Sequence, residues 1–376
     1  MKYRLVTLIG FVIAVTAIAV TSSRITFRYP PAVHETLVPR ASSYLGVFES
    51  GPTPGSLPDY RSIEGFADMA GQTPNLAGYY SGWAEPFKMA FATELHQHGV
   101  IPYVQIDPSF AKVAAIADGS QDTYLKGYAD SVRDFGHPVV IGFGHEMNGT
   151  WYSWGYRQTS PATFIAAWRH IVTVFRNEGA DNVTWLWTVN SEERPGSQPI
   201  RAWWPGARYL TWVGIDGYYV PRWDTFPRVF GPTISQVHAI TSKPILLSET
   251  AVSPAVPNQF AKIENLFNGV QSQNVLGLVW FDVKQPANGP YQQDWQLQPD
   301  SQALIKASRV AGGSTNSLSR LRSGFSPSLV RKSVQRERMF PAMCLTMTAM
   351  EFISGSSAAK SCSSVACAIA PSAVLL

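Results

Sequence analysis

The sequence predicts a (β/α)8 TIM barrel, an α/β fold, and three observations carry that expectation. Eight short apolar runs suited to β-strands fall at residues 44–50, 76–83, 101–108, 139–147, 183–190, 212–219, 244–251 and 275–283. Their starts lie 25 to 44 residues apart, which leaves room for a helix between each pair. Most of the runs are continuously apolar rather than alternating, as expected when both faces of a strand are buried in a parallel sheet. Eight strands alternating with helices across residues 44–312 favour closure into a barrel. A doubly wound open sheet satisfies the same periodicity and is the competing arrangement.

The elements follow in chain order. Lys2 and Arg4 precede an apolar stretch from Leu5 to Val20, interrupted only by Thr7, Gly10 and Thr16. This is long for the core of a signal peptide and short for a spanning helix. Ala17-Ile18-Ala19 offers a small-residue cleavage pattern, so 1–22 reads as a signal peptide or an N-terminal membrane anchor. Either reading places the protein outside the cytoplasm: secreted, periplasmic or anchored facing outward. Residues 23–43, with Pro30 and Pro31, read as a linker. Between the second and third strands Phe87, Phe91 and Leu95 recur at helical spacing. After the fourth strand, Ser160-Pro161 supplies a helix N-cap and first position, Phe164, Ile165, Trp168, Val172 and Phe175 form its apolar stripe, and Gly179 stops it. Phe260, Ile263 and Phe267 repeat the pattern before the last strand. Beyond Gly312 periodicity is lost, and 313–376 reads as a disordered basic tail, with a cationic surface-binding segment as the functional alternative.

Composition excludes several classes. The net charge of +4 is carried by the ends: residues 1–30 hold +4 and 313–376 hold +5, leaving −5 on 31–312. A nucleic-acid binder would gather its positive charge on the folded part. Cys344, Cys362 and Cys367 all lie in the tail, so the central domain depends on no disulfide or thiolate metal site. No cofactor or metal is expected, and the domain reads as a monomer. Twelve Trp in 376 residues exceed what a core usually needs, which leaves indoles for a cleft.

The chemistry concentrates in His145-Glu146-Met147-Asn148-Gly149-Thr150-Trp151-Tyr152-Ser153-Trp154, at the end of the fourth apolar run. One carboxylate beside an imidazole and an amide, followed by three rings, suits a proton donor, hydroxyl-binding groups and flat faces for pyranose rings. Glu249 holds the same position on Pro244-Ile245-Leu246-Leu247-Ser248-Glu249. Two carboxylates at the ends of two strands are what glycoside hydrolysis requires: Glu146 as acid/base, Glu249 as nucleophile. The plainer reading is two structural acids paired with arginines, and their matching positions argue against it. His145 and Asn148 would orient Glu146 and bind sugar hydroxyls. A zinc site is excluded because H-E-x-x-H needs a histidine at position 149, which is glycine. A tyrosine closing Trp212-Val213-Gly214-Ile215-Asp216-Gly217-Tyr218-Tyr219 could hold the nucleophile ionised. Tyr218 is the choice, with Tyr219 close behind because a one-residue slip reverses the face. Trp280 would give a sugar-stacking floor, and Trp151, Trp154, Trp187 and Trp223 further subsites, each equally able to be core packing.

These residues resemble glycoside hydrolase family 26. The likeness spans about residues 44–300: the His145–Gly149 motif with Trp151, Tyr152 and Trp154, then the Trp212–Tyr218 and Ile245–Glu249 motifs in order. The resemblance implies a retaining (β/α)8 barrel with acid/base Glu146 and nucleophile Glu249, His145 before the acid, Tyr218 on the sixth strand and Trp280 on the last. It further implies a polysaccharide substrate, β-1,4-mannan in most members and mixed-linkage β-glucan or β-1,3-xylan in others. One position departs: the family's arginine three residues before the motif histidine is Gly142 here. Competing functions are the trimming of a bacterial exopolysaccharide by the same chemistry, a transglycosylase, and a non-catalytic glycan-binding barrel.

Overall fold

The computed structural model describes residues 37, 40–49, 58–191, 199–220, 222–285 and 294–297. The expected signal or anchor segment, nearly all of the linker and the basic tail lie outside the described residues. Among the described residues no helix is long and apolar enough to cross a membrane.

The eight strands close into a parallel barrel in chain order. They are β1 (Tyr44–Glu49), β2 (Leu76–Gly82), β3 (Ile101–Asp107), β4 (Val139–Phe143), β5 (Val183–Asn190), β6 (Trp212–Asp216), β7 (Ile245–Thr250) and β8 (Gly277–Asp282). β8 pairs with β1 in parallel, Tyr44 opposite Gly277 through Glu49 opposite Asp282, so the open sheet is excluded. The fourth strand is shorter than the run 139–147, because the chain leaves extended geometry at Gly144.

Helices α1 (Tyr60–Ala70), α2 (Met89–Gln97), α3 (Val113–Ala117), α4 (Asp122–Phe135), α5 (Pro161–Asn177), α6 (Phe226–Val229), α7 (Gly231–His238) and α8 (Gln259–Ser272) fill the connections. The α5 boundaries follow the sequence signals. The Ser160 hydroxyl accepts from Thr163 N at 3.1 Å, a cap that contributes about 1 kcal/mol, and Gly179 takes the left-handed position past the end. In α8 the stripe differs from expectation. Phe260 is exposed, and Ile263, Leu266, Phe267 and Val270 make the buried face.

Strand side chains sort into two cores by their period of two. Phe48, Leu76, Tyr103, Val140, Leu186, Trp212, Leu246 and Val279 fill the barrel interior. Their strand neighbours, among them Val47, Ile141, Trp185, Trp187, Leu278 and Trp280, pack outward under the helices. Burying each large apolar side chain contributes roughly 1.5–3 kcal/mol, so this alternation fixes every strand's register. Space inside is shared unequally. A side chain on Gly78 would meet the Phe48 ring at 2.6 Å, so β2 must be bare where β1 is bulky.

Candidate active site

The carboxyl ends of the strands gather the polar residues. β4 stops at Phe143, and Gly144 and Glu146 both adopt left-handed backbone (φ 54° for each). For glutamate this conformation costs roughly 1–3 kcal/mol and persists only where surroundings enforce it. Here Gly144 N donates to Ile106 O at 2.9 Å and Glu146 N to Thr188 O at 3.1 Å, tying the turn to β3 and β5. A Cβ on Gly144 would meet Phe164 at 2.9 Å and Trp154 at 3.1 Å, so the residue before the motif must be glycine.

Glu146 is buried and doubly held: Asn190 Nδ2 donates to Oε1 at 2.5 Å and Trp151 Nε1 to Oε2 at 2.8 Å. Asn148 is buried beside Asn190. Its amide donates to Asn190 O and accepts from Asn190 N, both at 2.9 Å, clamping the residue that holds Glu146. The expectation that Asn148 orients Glu146 thus takes an indirect form, through the clamp on Asn190.

Glu249 sits near the end of β7 beside a register shift, where Asp216 pairs with Glu249 rather than Ser248. Tyr80 OH donates to Oε1 at 2.5 Å and Tyr218 OH to Oε2 at 2.9 Å. Burial pushes the Glu249 carboxyl up to about 7; the His145 charge opposes this, the Glu146 charge adds to it, and the two phenols pull it back. Tyr219 points away and donates to Asn265 Oδ1 at 3.1 Å, which resolves the choice between the adjacent tyrosines by face.

His145 lies between the two carboxylates electrostatically. Burial works against its charge, but Asp107 at 3.0 Å from Nδ1, with Glu249 and Glu146 behind it, pushes it up to about 10. Its Nδ1 lies 3.0 Å from Asp107 Oδ1 and its Nε2 3.0 Å from Tyr152 OH, so both ring nitrogens are hydrogen-bonded. Asp216 is fully buried, accepts from Ser248 Oγ at 2.5 Å, and is raised well above the carboxylate range by burial and by the Glu249 and Glu146 charges.

The structure brings together Glu146, Glu249, His145, Asn148, Trp151 and Tyr218. It sends three expected sugar platforms elsewhere. Trp187 and Trp280 occupy outward positions of β5 and β8 and are buried under the helices, Trp187 against Trp204 and Trp280 donating to Trp295 O at 3.1 Å. The cause is strand parity: Phe281, one residue on, turns inward and meets Tyr218 with ring centroids 5.8 Å apart. Trp154 is buried beneath Tyr152, stacked at 4.3 Å, and donates to His145 O at 2.8 Å. It packs the loop rather than offering a face. Trp223 is 57% exposed on the connection after β6. At Gly142 a Cβ would overlap Gln105 Oε1 and come within 3.2 Å of Leu186 O, so a side chain there would have to displace the Gln105 amide.

Sequence reasoning missed Tyr80, Asp107, Tyr152, Asn190 and Phe281. The usable signal was position: Tyr80, Asp107, Asn190 and Phe281 all lie within the last three residues of a strand, where a barrel presents its site. Among the described residues no three His, Cys, Asp or Glu side chains gather as metal ligands would.

Comparison with known proteins agrees with this geometry. Residues 110–265 match the profile of Glycosyl hydrolase family 26. Endoglucanase H of Acetivibrio thermocellus is 27% identical over 290 residues, covering 73% of this chain and 31% of that protein. The mannan endo-1,4-beta-mannosidase A and B of Caldalkalibacillus mannanilyticus is 25% identical over 182 residues, 46% of this chain and 33% of that one. The chain thus spans about a third of the length of the curated relatives it matches. A Cellulomonas fimi endo-beta-1,4-mannanase double mutant shares the fold with a TM-score of 0.53 at 17% identity, over 70% of each chain.

Proposed function

We propose that the chain is a member of glycosyl hydrolase family 26, whose profile matches residues 110–265, and that it is a retaining endo-β-glycanase acting on β-1,4-mannan or a related β-linked polysaccharide. The observation that carries the reading is the pair of buried glutamates at the ends of β4 and β7, each held by two donors and each within the other's electrostatic reach. Glu146 protonates the glycosidic oxygen as Glu249 attacks the anomeric carbon, so the C–O bond breaks and a glycosyl ester forms on Glu249. Glu146 then takes a proton from water, which attacks the same carbon and frees Glu249 with net retention. The fixed phenols of Tyr80 and Tyr218 stabilise the Glu249 carboxylate before attack and after release.

Glu249 attacks as a carboxylate, and since burial pushes it up to about 7, that form is lost as pH falls through that value. The acidic limb of kcat/KM is expected near pH 7. Trp151 and exposed Trp223 are the remaining indole platforms for sugar. The proposal also takes the basic and apolar N-terminus as an export signal or anchor, and the catalytic unit as a monomer.

The test is release of reducing ends by the full-length protein from β-mannan, mixed-linkage β-glucan, β-1,3-xylan and bacterial exopolysaccharides. Glu146→Ala and Glu249→Ala run alongside. Hydrolysis of one polymer, abolished in both variants, supports the reading and names the substrate. Tight binding without turnover in the unaltered protein would replace it with a glycan-binding barrel.

A further inference from the structure

Past β8 the chain returns to the carboxyl end of the barrel, and residues 294–297 lie there as a short strap. Trp295 N donates to Val283 O at 3.1 Å, and Lys284 and Asp294 form an antiparallel bridge closed by an ion pair of 3.1 Å. Leu297 N donates to Asp282 Oδ1, on the residue that ends β8. Trp280 Nε1 donates to Trp295 O at 3.1 Å, so the indole expected as a sugar floor anchors the strap instead. Both apolar side chains of the strap, Trp295 and Leu297, are buried. The reaction as described uses Tyr218 but not the strap that packs against it.

Trp295 meets the Tyr218 ring with centroids 4.7 Å apart and planes at 40°. Phe281 meets the same phenol edge-on, at 5.8 Å and 83°. Where Tyr218 stands explains the need for both. Tyr80, the other phenol on Glu249, lies within β2 and stacks on Phe48 of β1 at 5.0 Å. Tyr218 lies two residues past the end of β6. Gly217 N and Tyr219 N donate to Glu249 O and Ala251 O, each at 3.0 Å, and fix the backbone on either side of it. Those bonds leave the side-chain torsions of Tyr218 open, and the torsions carry its hydroxyl to or from Glu249 Oε2, 2.9 Å away. Packed rings close them. Phe281 also reaches Phe48 at 6.3 Å, so one run of rings, Tyr80, Phe48, Phe281, Tyr218 and Trp295, joins the two phenols. Trp295 ends that run.

Resting on the reading of Glu249 as nucleophile, we propose that Trp295 is a positioning residue for the reaction: anchored by the strap over β8, its indole holds the Tyr218 ring so that the phenol hydroxyl stays on Glu249. The groups that act on Glu249 from the surrounding elements are Tyr80 from β2, His145 and Glu146 from the loop after β4, Tyr218 from the residues past β6, and the charge of Asp216 from β6. Among the described residues Trp295 pairs its ring with Tyr218 alone, so its influence reaches Glu249 through that one hydroxyl.

The experiment is a carboxyl-carbon NMR titration of Glu249 in the full-length protein labelled at its glutamate side chains, with Glu249→Gln identifying the resonance. Trp295→Ala is expected to raise the Glu249 midpoint by about 0.3–0.7 pH unit, because a loosened phenol stabilises the carboxylate less. Hydrolysis should change with it: kcat down roughly 3–10-fold, KM little altered and the acidic limb moved upward. Trp295→Phe should restore most of both. The deciding comparison is made in a Tyr218→Phe background, where the hydroxyl is already gone and Trp295→Ala should move the midpoint no further. A folded Trp295→Ala protein with an unmoved midpoint overturns the proposal. So does a shift that adds in full to that of Tyr218→Phe, which a general loosening of the barrel would produce. Should the alanine variant fail to fold, Trp295→Leu is read by the same two outcomes. Failure of both to fold would make Trp295 a residue of the fold alone and overturn the proposal as well. The titration needs no substrate. Absence of hydrolysis in the unaltered protein would sink the glycanase reading, while the resonance still decides whether Trp295 holds Tyr218 to Glu249.

Discussion

The ends of β4 and β7 present the same chemical group by opposite means. Glu249 lies in a strand, fixed by the barrel's own ladder and met by two phenol O–H donors from β2 and from the segment after β6. Glu146 lies beyond its strand in a left-handed turn, met by two N–H donors, one from β5 and one from an indole of its own loop. A nucleophile must keep one place through two displacements, and a strand provides that. An acid/base must face a leaving oxygen in one step and a water in the next, and a loop braced by Asn190 and Trp151 can be adjusted separately. The barrel sets one carboxyl; a local clamp sets the other.

The largest effect that would sharpen this contrast is removal of each carboxyl with azide added. Glu146→Ala is expected to lose about 10³–10⁴-fold in kcat. With an activated aryl glycoside it should regain turnover by forming a β-glycosyl azide, whereas Glu249→Ala should give the α-azide. Identical azide stereochemistry from both variants would break the assignment of roles. Next come the donors. Tyr80→Phe and Tyr218→Phe are each expected to cost up to about 10²-fold in kcat and to move the acidic limb upward, since a phenol that stabilises the charged carboxylate is gone. Asp107→Asn should cost about tenfold, and proton NMR should show the His145 midpoint falling from about 10 towards the ordinary histidine range.

Two smaller effects concern stability. Gly144→Ala forces a side chain into left-handed backbone and against Phe164, and urea unfolding should show a loss of about 1–3 kcal/mol. Glu49, paired with Asp282 where β1 meets β8, is raised to about 10 by burial and by that neighbour's charge. It stays neutral in the fold while the unfolded chain ionises it from about pH 4.5 upward. Stability on this account falls as pH rises through that window, so Glu49→Gln should raise Tm at pH 8 and leave it unchanged at pH 4. An equal gain at both values would mean the pair is not sharing a proton.

The barrel was legible because parallel strands buried on both faces announce themselves as apolar runs, and the Ser160-Pro161 and Gly179 signals placed α5. The glutamates were legible for the same reason: a carboxylate closing such a run has one place to go. The tryptophans were not. Trp187 and Trp280 sit on runs apolar at every position, where no alternation tells inside from outside, and only the closed register turns them towards the helices. The clamp of Asn148 on Asn190 was not legible, because an amide looks alike in sequence whether it binds a hydroxyl or clamps a neighbouring strand. Tyr80, Asp107 and Asn190 escaped notice because each is a lone polar residue whose partner lies far along the chain, 169, 38 and 44 residues away.

The outward turn of those indoles also decides what light can report. Of the twelve tryptophans nine are buried, Trp151 and Trp204 are half-buried, and Trp223 alone is exposed. Emission from the buried majority is shielded from any glycan that enters. A spectral change on adding oligosaccharide is therefore confined to Trp151, Trp204 and Trp223, and the double change Trp204→Phe with Trp223→Phe leaves a protein whose fluorescence answers chiefly to events beside Glu146.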